Sequence, residues 1–125
     1  MLIDDDQDDI ELFSDALGQI DASIHLVTAH NGKEALALLG SDILHRPDHI
    51  FLDINMPVMN GIDCLETMRE QLDIRIPVTM YTTSQNPREY SRCKSLGAEF
   101  LPKPDNYTVL TEILAKKVRD LMKSR

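Results

Sequence analysis

Short apolar runs and helical periodicities alternate along this chain. Five runs have the length and composition of strands, at 1–3, 24–28, 49–53, 76–82 and 99–101. Between and after them, apolar residues recur at three- and four-residue steps, the spacing of one helix face. Because the runs are apolar throughout and helices separate them, we expect a parallel sheet covered on both faces. The pattern predicts an α/β fold, a doubly wound five-stranded parallel sheet with five helices, in a single domain over 1–125.

Asparagines mark the beginnings of three predicted helices. Asn31, Asn86 and Asn106 each precede a helical pattern at a point where a side-chain oxygen can accept a hydrogen bond from the first turn. Glu34 is placed to complete a capping box with Asn31, and Pro87 takes the first helical position after Asn86. These residues predict where the second, fourth and fifth helices begin.

Polar residues end four of the apolar runs. They are Asp4 and Asp5 after the first run, Asp53 after the third, Thr82 in the fourth and Lys103 after the fifth. Side chains at the carboxyl ends of parallel strands meet in one crevice, so we expect these groups to lie together. Three carboxylates, a hydroxyl and an ammonium suit a hard divalent cation and a phosphoryl group. Adjacent carboxylates repel unless a cation lies between them, which favours a metal at Asp4 and Asp5.

Composition and charge narrow the class of protein. The chain has 125 residues, which fits one domain, and a net charge of -8, which argues against direct nucleic acid binding. No apolar run approaches the roughly 20 residues of a membrane helix, so we expect a cytoplasmic protein with no membrane partner. Cys64 and Cys93 are expected to be reduced thiols packed in the core. The first apolar run has only three residues before Asp4, whereas a buried central strand commonly has about five or six, so whether residues precede Met1 is left open.

Six acids lie between positions 4 and 11. Asp8, Asp9 and Glu11 fall at the predicted start of the first helix, where acids interact favourably with the helix dipole by about 0.3–1 kcal/mol each. We interpret these three as helix-stabilising residues and not as part of the site.

The same residues resemble a known family. Asp4-Asp5, then Asp53 within Phe-Leu-Asp-Ile-Asn-Met-Pro-Val-Met-Asn-Gly, then Thr82-Thr83 and Lys103-Pro104 are similar in type and spacing to the receiver domain of bacterial two-component response regulators. The resemblance covers essentially the whole chain. It implies a flavodoxin-like sheet with strand order 2-1-3-4-5.

The resemblance also implies the chemistry of the site. Asp53 would attack the phosphohistidine of a sensor histidine kinase or a histidine phosphotransfer protein and become an aspartyl phosphate. Mg2+ would be held by Asp5, by Asp53 and by the backbone carbonyl of Asn55, with Asp4 acting through a bound water.

Further roles follow for the remaining motif residues. Lys103 would place its ammonium on a phosphate oxygen, and the hydroxyl of Thr82 and the backbone N–H of Thr83 would contact the same group. Thr82 and Phe100 would form the switch that reports phosphorylation. The family also implies a cis bond between Lys103 and Pro104.

The resemblance implies a signalling protein that catalyses its own phosphoryl transfer and dephosphorylation. We expect a stand-alone receiver that acts through protein–protein contacts, with its downstream partner left open. Asp105 stands where many relatives have phenylalanine, so the surface of the fourth helix, fifth strand and fifth helix is expected to differ from the family's common dimerisation face. The oligomeric state, a monomer or a phosphorylation-dependent dimer, is left open.

Two alternative functions agree less well with the sequence. A phosphatase of the haloacid dehalogenase type needs a second aspartate two residues after its nucleophile, but position 55 is asparagine. A phosphorylation-independent receiver-like binding module remains the alternative, although such modules usually lack the nucleophile or the lysine, and both Asp53 and Lys103 are present.

Overall fold

Short parallel strands form the centre of the structure, a computed structural model that describes residues 1–41 and 46–123. Within these ranges the strands are β1 (Leu2–Ile3), β2 (Thr28–Ala29), β3 (Ile50–Leu52), β4 (Val78–Thr82) and β5 (Glu99–Pro102). Neighbouring strands all run parallel, in the order β2-β1-β3-β4-β5. The predicted parallel sheet and its strand order are confirmed.

The helices connect consecutive strands. In the described ranges they are α1 (Gln7–Ile20), α2 (Gly32–Leu39), α3 (Gly61–Glu66), α4 (Pro87–Ser95) and α5 (Tyr107–Lys123). A π-helical segment, Thr67–Gln71, continues α3 and was not predicted. None of the helices in this part of the chain combines the length and the apolar character needed to cross a bilayer.

Two hydrophobic cores lie on opposite faces of the sheet. Ile3, Leu52 and Met80 contribute to the core that α2, α3 and α4 cover, whereas Leu2, Phe51 and Tyr81 contribute to the core under α1 and α5. Consecutive strand residues point to opposite faces, so a strand with both faces covered must be apolar at every position. This is why the strands lack polar alternation.

The three predicted helix caps are present. Side-chain oxygens of Asn31, Asn86 and Asn106 accept hydrogen bonds from the first turns of α2, α4 and α5. The capping box at Asn31 is incomplete, because the Glu34 carboxylate accepts from the backbone N–H of His30 at 3.4 Å. The cap of α1 was not predicted: the Asp6 side chain accepts hydrogen bonds from the N–H groups of Asp8 and Asp9 in the first turn.

Two predicted strands are shorter than expected. The run 24–28 contributes only Thr28 to β2, because the parallel ladder with β1 pairs Thr28 and Ala29 alone. Before it, the N–H of Ile24 bonds the carbonyl of Asp21 in a turn. The run 76–82 begins its strand at Val78, since Pro77 has no N–H to donate to a ladder.

Arg69, in the π-helical segment, holds together the two chain segments that follow α4 and precede β4. Its buried guanidinium donates to the carbonyl oxygens of Leu96 at 2.9 Å, Ile74 at 2.7 Å and Ile76 at 2.9 Å. The first of these follows α4 and the other two precede β4. One side chain therefore ties the end of α4 to the segment that leads into β4.

His49 is a buried polar group far from the predicted site. It precedes β3, and its Nε2 lies 2.7 Å from the hydroxyl of Thr79. Its ring packs 4.9 Å from the ring of Phe51. Burial lowers the pKa of His49 to about 4, so the ring is neutral at pH 7.

The two cysteines are free and buried, as predicted. Burial raises the pKa of the Cys64 thiol to about 12 and that of Cys93 to about 11. Both therefore behave as apolar packing groups.

Candidate functional site

The residues predicted to form the site do gather at the carboxyl edge of the sheet. Backbone hydrogen bonds continue the sheet past the strand ends: Asp4 donates to Ala29, Asp53 to Ile3 and Lys103 to Thr82, at 3.0–3.1 Å. These bonds hold the first residues after β1, β3 and β5 in register. Asp4 is fully buried and Asp53 is 6% exposed.

The ammonium of Lys103 lies at the centre of a cluster of carboxylates. Its Nζ is 2.8 Å from Oδ2 of Asp4, 2.9 Å from Oδ2 of Asp9 and 3.1 Å from Oδ2 of Asp53. The contacts to Asp9 and Asp53 are hydrogen bonds. We call these four residues the Lys103 cluster. One positive charge faces three negative charges, so the cluster carries a net negative charge.

Asp9 was predicted to stabilise the first helix and to lie outside the site, and the second part of this prediction was wrong. It does lie in the first turn of α1, and its side chain also reaches Lys103. Side chains in a helix lean toward its amino terminus, which here faces the strand ends. The signal available in the sequence was an acid in the first turn of a helix that directly follows Asp4 and Asp5.

The pKa values of Asp4 and Lys103 are both raised, but for opposite reasons. Burial raises the pKa of Asp4, and contacts with Lys103 and the N–H of Asp6 oppose this only in part. Burial alone would lower the pKa of Lys103, but contacts with Asp4 and Asp9 and the charge of Asp53 raise it above its ordinary value. Lys103 is therefore protonated at pH 7.

Three of the predicted ligand residues can hold a cation. Asp4, Asp5 and Asp53 each offer a carboxylate oxygen, and these oxygens lie within 4.8 Å of one another. Oδ1 of Asp4 accepts from the N–H of Asp6, whereas the buried Oδ2 has no hydrogen bond and contacts Lys103 only as an ion pair. An oxygen-only set with a lone pair unused in hydrogen bonding fits a hard cation such as Mg2+.

The loop after Asp53 folds back onto its backbone. Gly61 donates its N–H to the carbonyl of Ile54 at 2.8 Å. A Cβ at Gly61 would lie 2.0 Å from the carbonyl oxygen of Asp53, so only glycine fits. Val58 in the same loop has a left-handed φ of 70° and is 78% exposed. The motif glycine is thus explained by close backbone approach. Asn55 is exposed in this loop, and its carbonyl ligand role stays a prediction.

The two threonines at the end of β4 differ in burial: Thr82 is its last residue and Thr83 follows it. Thr82 is buried, and its Oγ1 accepts from the N–H of Ser84 at 3.2 Å while retaining its own proton for donation. Thr83 is exposed. Ser84 in turn donates its hydroxyl to Glu89 at 2.6 Å. The loop that carries Thr82 is therefore tied to the first turn of α4.

Phe100 lies on β5 and packs against α4. Its half-buried ring is 4.5 Å from the ring of Tyr90, at an interplanar angle of 43°. Both rings line a cavity of about 320 Å³ together with Pro102 and residues 84–87. Space is thus available next to Phe100. Its role as a switch residue stays a prediction.

The bond between Lys103 and Pro104 is trans, as are all peptide bonds in the described residues. The expectation of a cis bond here was wrong. With a trans bond, the ammonium of Lys103 still points into the cluster. The prolines on both sides of Lys103 restrict its backbone.

The sequence matches a known domain family and the corresponding part of several longer proteins. A sequence model described as the response regulator receiver domain matches residues 1–115. The chain is 36% identical over 118 residues to a protein-glutamate methylesterase/protein-glutamine glutaminase of Desulfotalea psychrophila, which covers 91% of this chain and 32% of that protein. It is 35% identical over 107 residues to the transcriptional regulatory protein CpxR of Escherichia coli, covering 85% of this chain and 43% of CpxR. The chain spans less than half the length of these relatives.

Solved structures with the same architecture cover nearly the whole chain. The phosphorylated cyanobacterial phytochrome response regulator RcpA aligns with a TM-score of 0.86 at 28% identity, over 99% of this chain and 93% of that chain. The Mn2+-bound form of the response regulator Rcp1 aligns with a TM-score of 0.79 at 28% identity, over 92% and 87%. The chemotaxis response regulator CheY4 of Vibrio cholerae aligns with a TM-score of 0.73 at 33% identity, over 92% of this chain and 93% of that chain.

Proposed function

Because the chain belongs to the response regulator receiver family, we propose that Asp53 accepts a phosphoryl group in a transfer that depends on Mg2+. One observation carries this proposal. The Asp53 carboxylate is held at the end of β3 within 3.1 Å of the Lys103 ammonium and beside two further carboxylates. The proposed nucleophile therefore has the Lys103 ammonium on one side and, on the other, carboxylate oxygens that could bind a metal cation.

The chain's own residues account for most of the reaction. One oxygen of Asp53 attacks phosphorus, and the bond from phosphorus to the donor's imidazole nitrogen breaks, with the electron pair leaving on nitrogen. Lys103 contacts a phosphoryl oxygen and offsets its charge. Asp5, Asp53 and the Asn55 carbonyl would hold Mg2+, with Asp4 behind a water, and the bound cation would supply positive charge that offsets the negative charge of the incoming anion.

The donor in this proposal is a sensor histidine kinase or a histidine phosphotransfer protein, and the reaction takes place in the cytoplasm. Family membership supports the class of donor, and the phosphorylated RcpA structure and the Mn2+-bound Rcp1 structure support the acceptor chemistry and the cation. The curated relatives continue beyond the matched region, so that a stand-alone receiver stays a prediction. Output through protein–protein contacts also stays a prediction, as does the oligomeric state, a monomer or a phosphorylation-dependent dimer.

Phosphorylation would be reported through Thr82 and Phe100. The Thr82 hydroxyl has a proton to donate, and Thr83 follows with its backbone N–H. A move of Thr82 toward the phosphoryl group would vacate space on the side of Phe100, next to the cavity that Phe100 and Tyr90 line. The charge added at Asp53 would thereby change how Phe100 packs against α4.

Intact-mass spectrometry after incubation with acetyl phosphate tests the proposal. We expect one phosphoryl adduct on the wild type with Mg2+, none with EDTA, and none on Asp53→Asn. Asp120→Asn, which removes an exposed carboxylate on α5, is the matched control and should be modified like the wild type. A folded wild-type protein that takes no adduct would instead support the phosphorylation-independent binding module.

A further inference from the structure

Among the described carboxylates, three lie within salt-bridge distance of the Lys103 ammonium. One of them, Asp9, is neither the proposed phosphoryl acceptor nor a proposed cation ligand. Asp53 is the proposed acceptor and Asp4 belongs to the proposed cation site. Asp9 comes from α1, 94 residues from Lys103 in the chain, and hydrogen-bonds Nζ at 2.9 Å. Its side chain is 34% exposed, whereas that of Lys103 is 10% exposed.

The three carboxylates differ in what the proposed reaction does to them. Asp53 becomes an acyl phosphate when it accepts the phosphoryl group, so its contact with Lys103 must change. Asp4 is drawn toward the cation. Asp9 is then the one carboxylate of the Lys103 cluster whose hydrogen bond to Nζ need not change during the reaction. A long side chain with four rotatable bonds needs such a fixed partner to keep its ammonium in place.

We propose that Asp9 is a positioning residue, which holds the Lys103 ammonium over Asp53 before and during phosphoryl transfer; this inference rests on the proposed function. The amino end of α1 is itself fixed, because Asp6 caps it through hydrogen bonds from the N–H groups of Asp8 and Asp9. The Asp9 carboxylate therefore approaches Lys103 from a rigid element. Two N–H groups of the ammonium remain for Asp53, its phosphoryl oxygens and Asp4.

Helix stabilisation alone does not account for this arrangement. Asp8 lies in the same turn of α1 and has the same charge, yet it is exposed and does not contact Lys103. Asp8→Asn therefore removes the same favourable interaction with the helix dipole and leaves the cluster intact. It is the matched control for Asp9→Asn.

The first test observes the ammonium in the unmodified protein without Mg2+. The side-chain 1H–15N signal of Lys103 is visible by NMR when hydrogen bonds slow its proton exchange with water, and Lys103→Met assigns it. We expect the signal in the wild type and Asp8→Asn, and its loss in Asp9→Asn. An unchanged signal in Asp9→Asn would overturn the proposal.

The second test measures the rate of adduct formation with acetyl phosphate over a range of Mg2+ concentrations. At saturating Mg2+ we expect Asp9→Asn to react roughly tenfold more slowly than the wild type, with Asp8→Asn at the wild-type rate. If Asp9 acted only through its charge, Asp9→Asn would react at least as fast as the wild type, because an anionic donor meets less repulsion. Equal or faster reaction would therefore overturn the inference, whereas a wild type that takes no adduct would overturn the proposed function itself.

Discussion

At the scale of single residues, Asp4 is the clearest case of a proposed cation ligand whose burial lowers the stability of the fold. Its carboxylate is fully buried, its pKa is raised by that burial, and its Oδ2 accepts no hydrogen bond. Lys103 offsets one negative charge while three surround it. Without a bound cation, the Lys103 cluster opposes folding, because burying a charge without full compensation is costly.

Replacing Asp4 by asparagine should therefore stabilise the protein in the absence of Mg2+. We expect Asp4→Asn to raise the free energy of unfolding by about 1–2 kcal/mol, since it removes a buried charge while Lys103 keeps Asp9 and Asp53 as partners. Urea denaturation at pH 7 in EDTA measures the change. A lower free energy of unfolding would mean that Asp4 contributes more through its ion pair than its burial costs.

His49 should make the protein sensitive to acid. An unfolded histidine binds a proton near pH 6.5, whereas folded His49 does so only at about pH 4. In this window the unfolded state holds more protons, so stability falls as the pH falls. From pH 7 to pH 4 we expect this group to contribute a loss of about 3 kcal/mol.

Urea denaturation of His49→Gln across the same pH range tests this expectation. Glutamine can keep a hydrogen bond to Thr79 and does not titrate, so the variant should lose stability less steeply than the wild type. His25→Gln, at an exposed position, is the control and should follow the wild-type slope. Parallel slopes for all three proteins would assign the acid sensitivity to other groups.

At the scale of elements, the segment between β3 and α3 depends on one close approach. Gly61 begins α3 and touches the carbonyl of Asp53, so the segment closes onto the residue that precedes it. The position of Asp53 is thus set from two directions: by the ladder to β1 and by the start of α3.

Gly61→Ala should damage both stability and phosphorylation. The added Cβ would lie 2.0 Å from the Asp53 carbonyl oxygen, and backbone must move to admit it. We expect a loss of about 2–4 kcal/mol in the free energy of unfolding, together with slower adduct formation by the folded fraction.

Gly18→Ala is the matched control. Gly18 lies within α1, and a Cβ there meets nothing within 4 Å, so alanine should stabilise by up to about 1 kcal/mol. Denaturant unfolding of the two variants, with adduct formation measured in parallel, separates the two cases. A Gly61→Ala protein as stable and as reactive as the wild type would contradict the proposed role of this close approach.

The elements also show where sequence reasoning succeeds and fails. Asp4, Asp53 and Lys103 were predicted to meet because the carboxyl ends of parallel strands converge whatever the details of packing. Asp9 was not placed in the site, since its contact depends on how α1 docks beside the strand ends. The strand at 24–28 was predicted, but its length was overestimated for a similar reason: an apolar run predicts burial, but a ladder also needs a paired neighbour.

At the scale of the whole molecule, charge links cation binding to folding. The chain has a net charge of -8, and the carboxylates at the sheet edge concentrate part of it. A cation that binds the folded state alone stabilises it by RT ln(1 + [L]/Kd). The proposed Mg2+ site should therefore be visible in the unfolding transition as well as in phosphorylation.

Adding Mg2+ should raise the melting temperature of the wild type until the site is saturated. At one hundred times Kd we expect about 2.7 kcal/mol of added stability. Asp5→Asn, which removes an exposed proposed ligand, should show little of this effect, and an equal concentration of NaCl corrects for general screening. The same rise in Asp5→Asn and in the wild type would place the cation elsewhere.

The protonation of Lys103 has one further chemical consequence. An aspartyl phosphate is a mixed anhydride, and a neutral amine close to its carbonyl would attack it, expel phosphate and leave a permanent isopeptide bond between two side chains. Lys103 Nζ lies 3.1 Å from Asp53, within reach of such a reaction. Contacts with Asp4 and Asp9 raise its pKa against the effect of burial, so the nitrogen keeps its proton and has no lone pair with which to attack. The acids around Lys103 would thus let a reactive acyl phosphate and an amine coexist as neighbours, and would keep the proposed modification reversible.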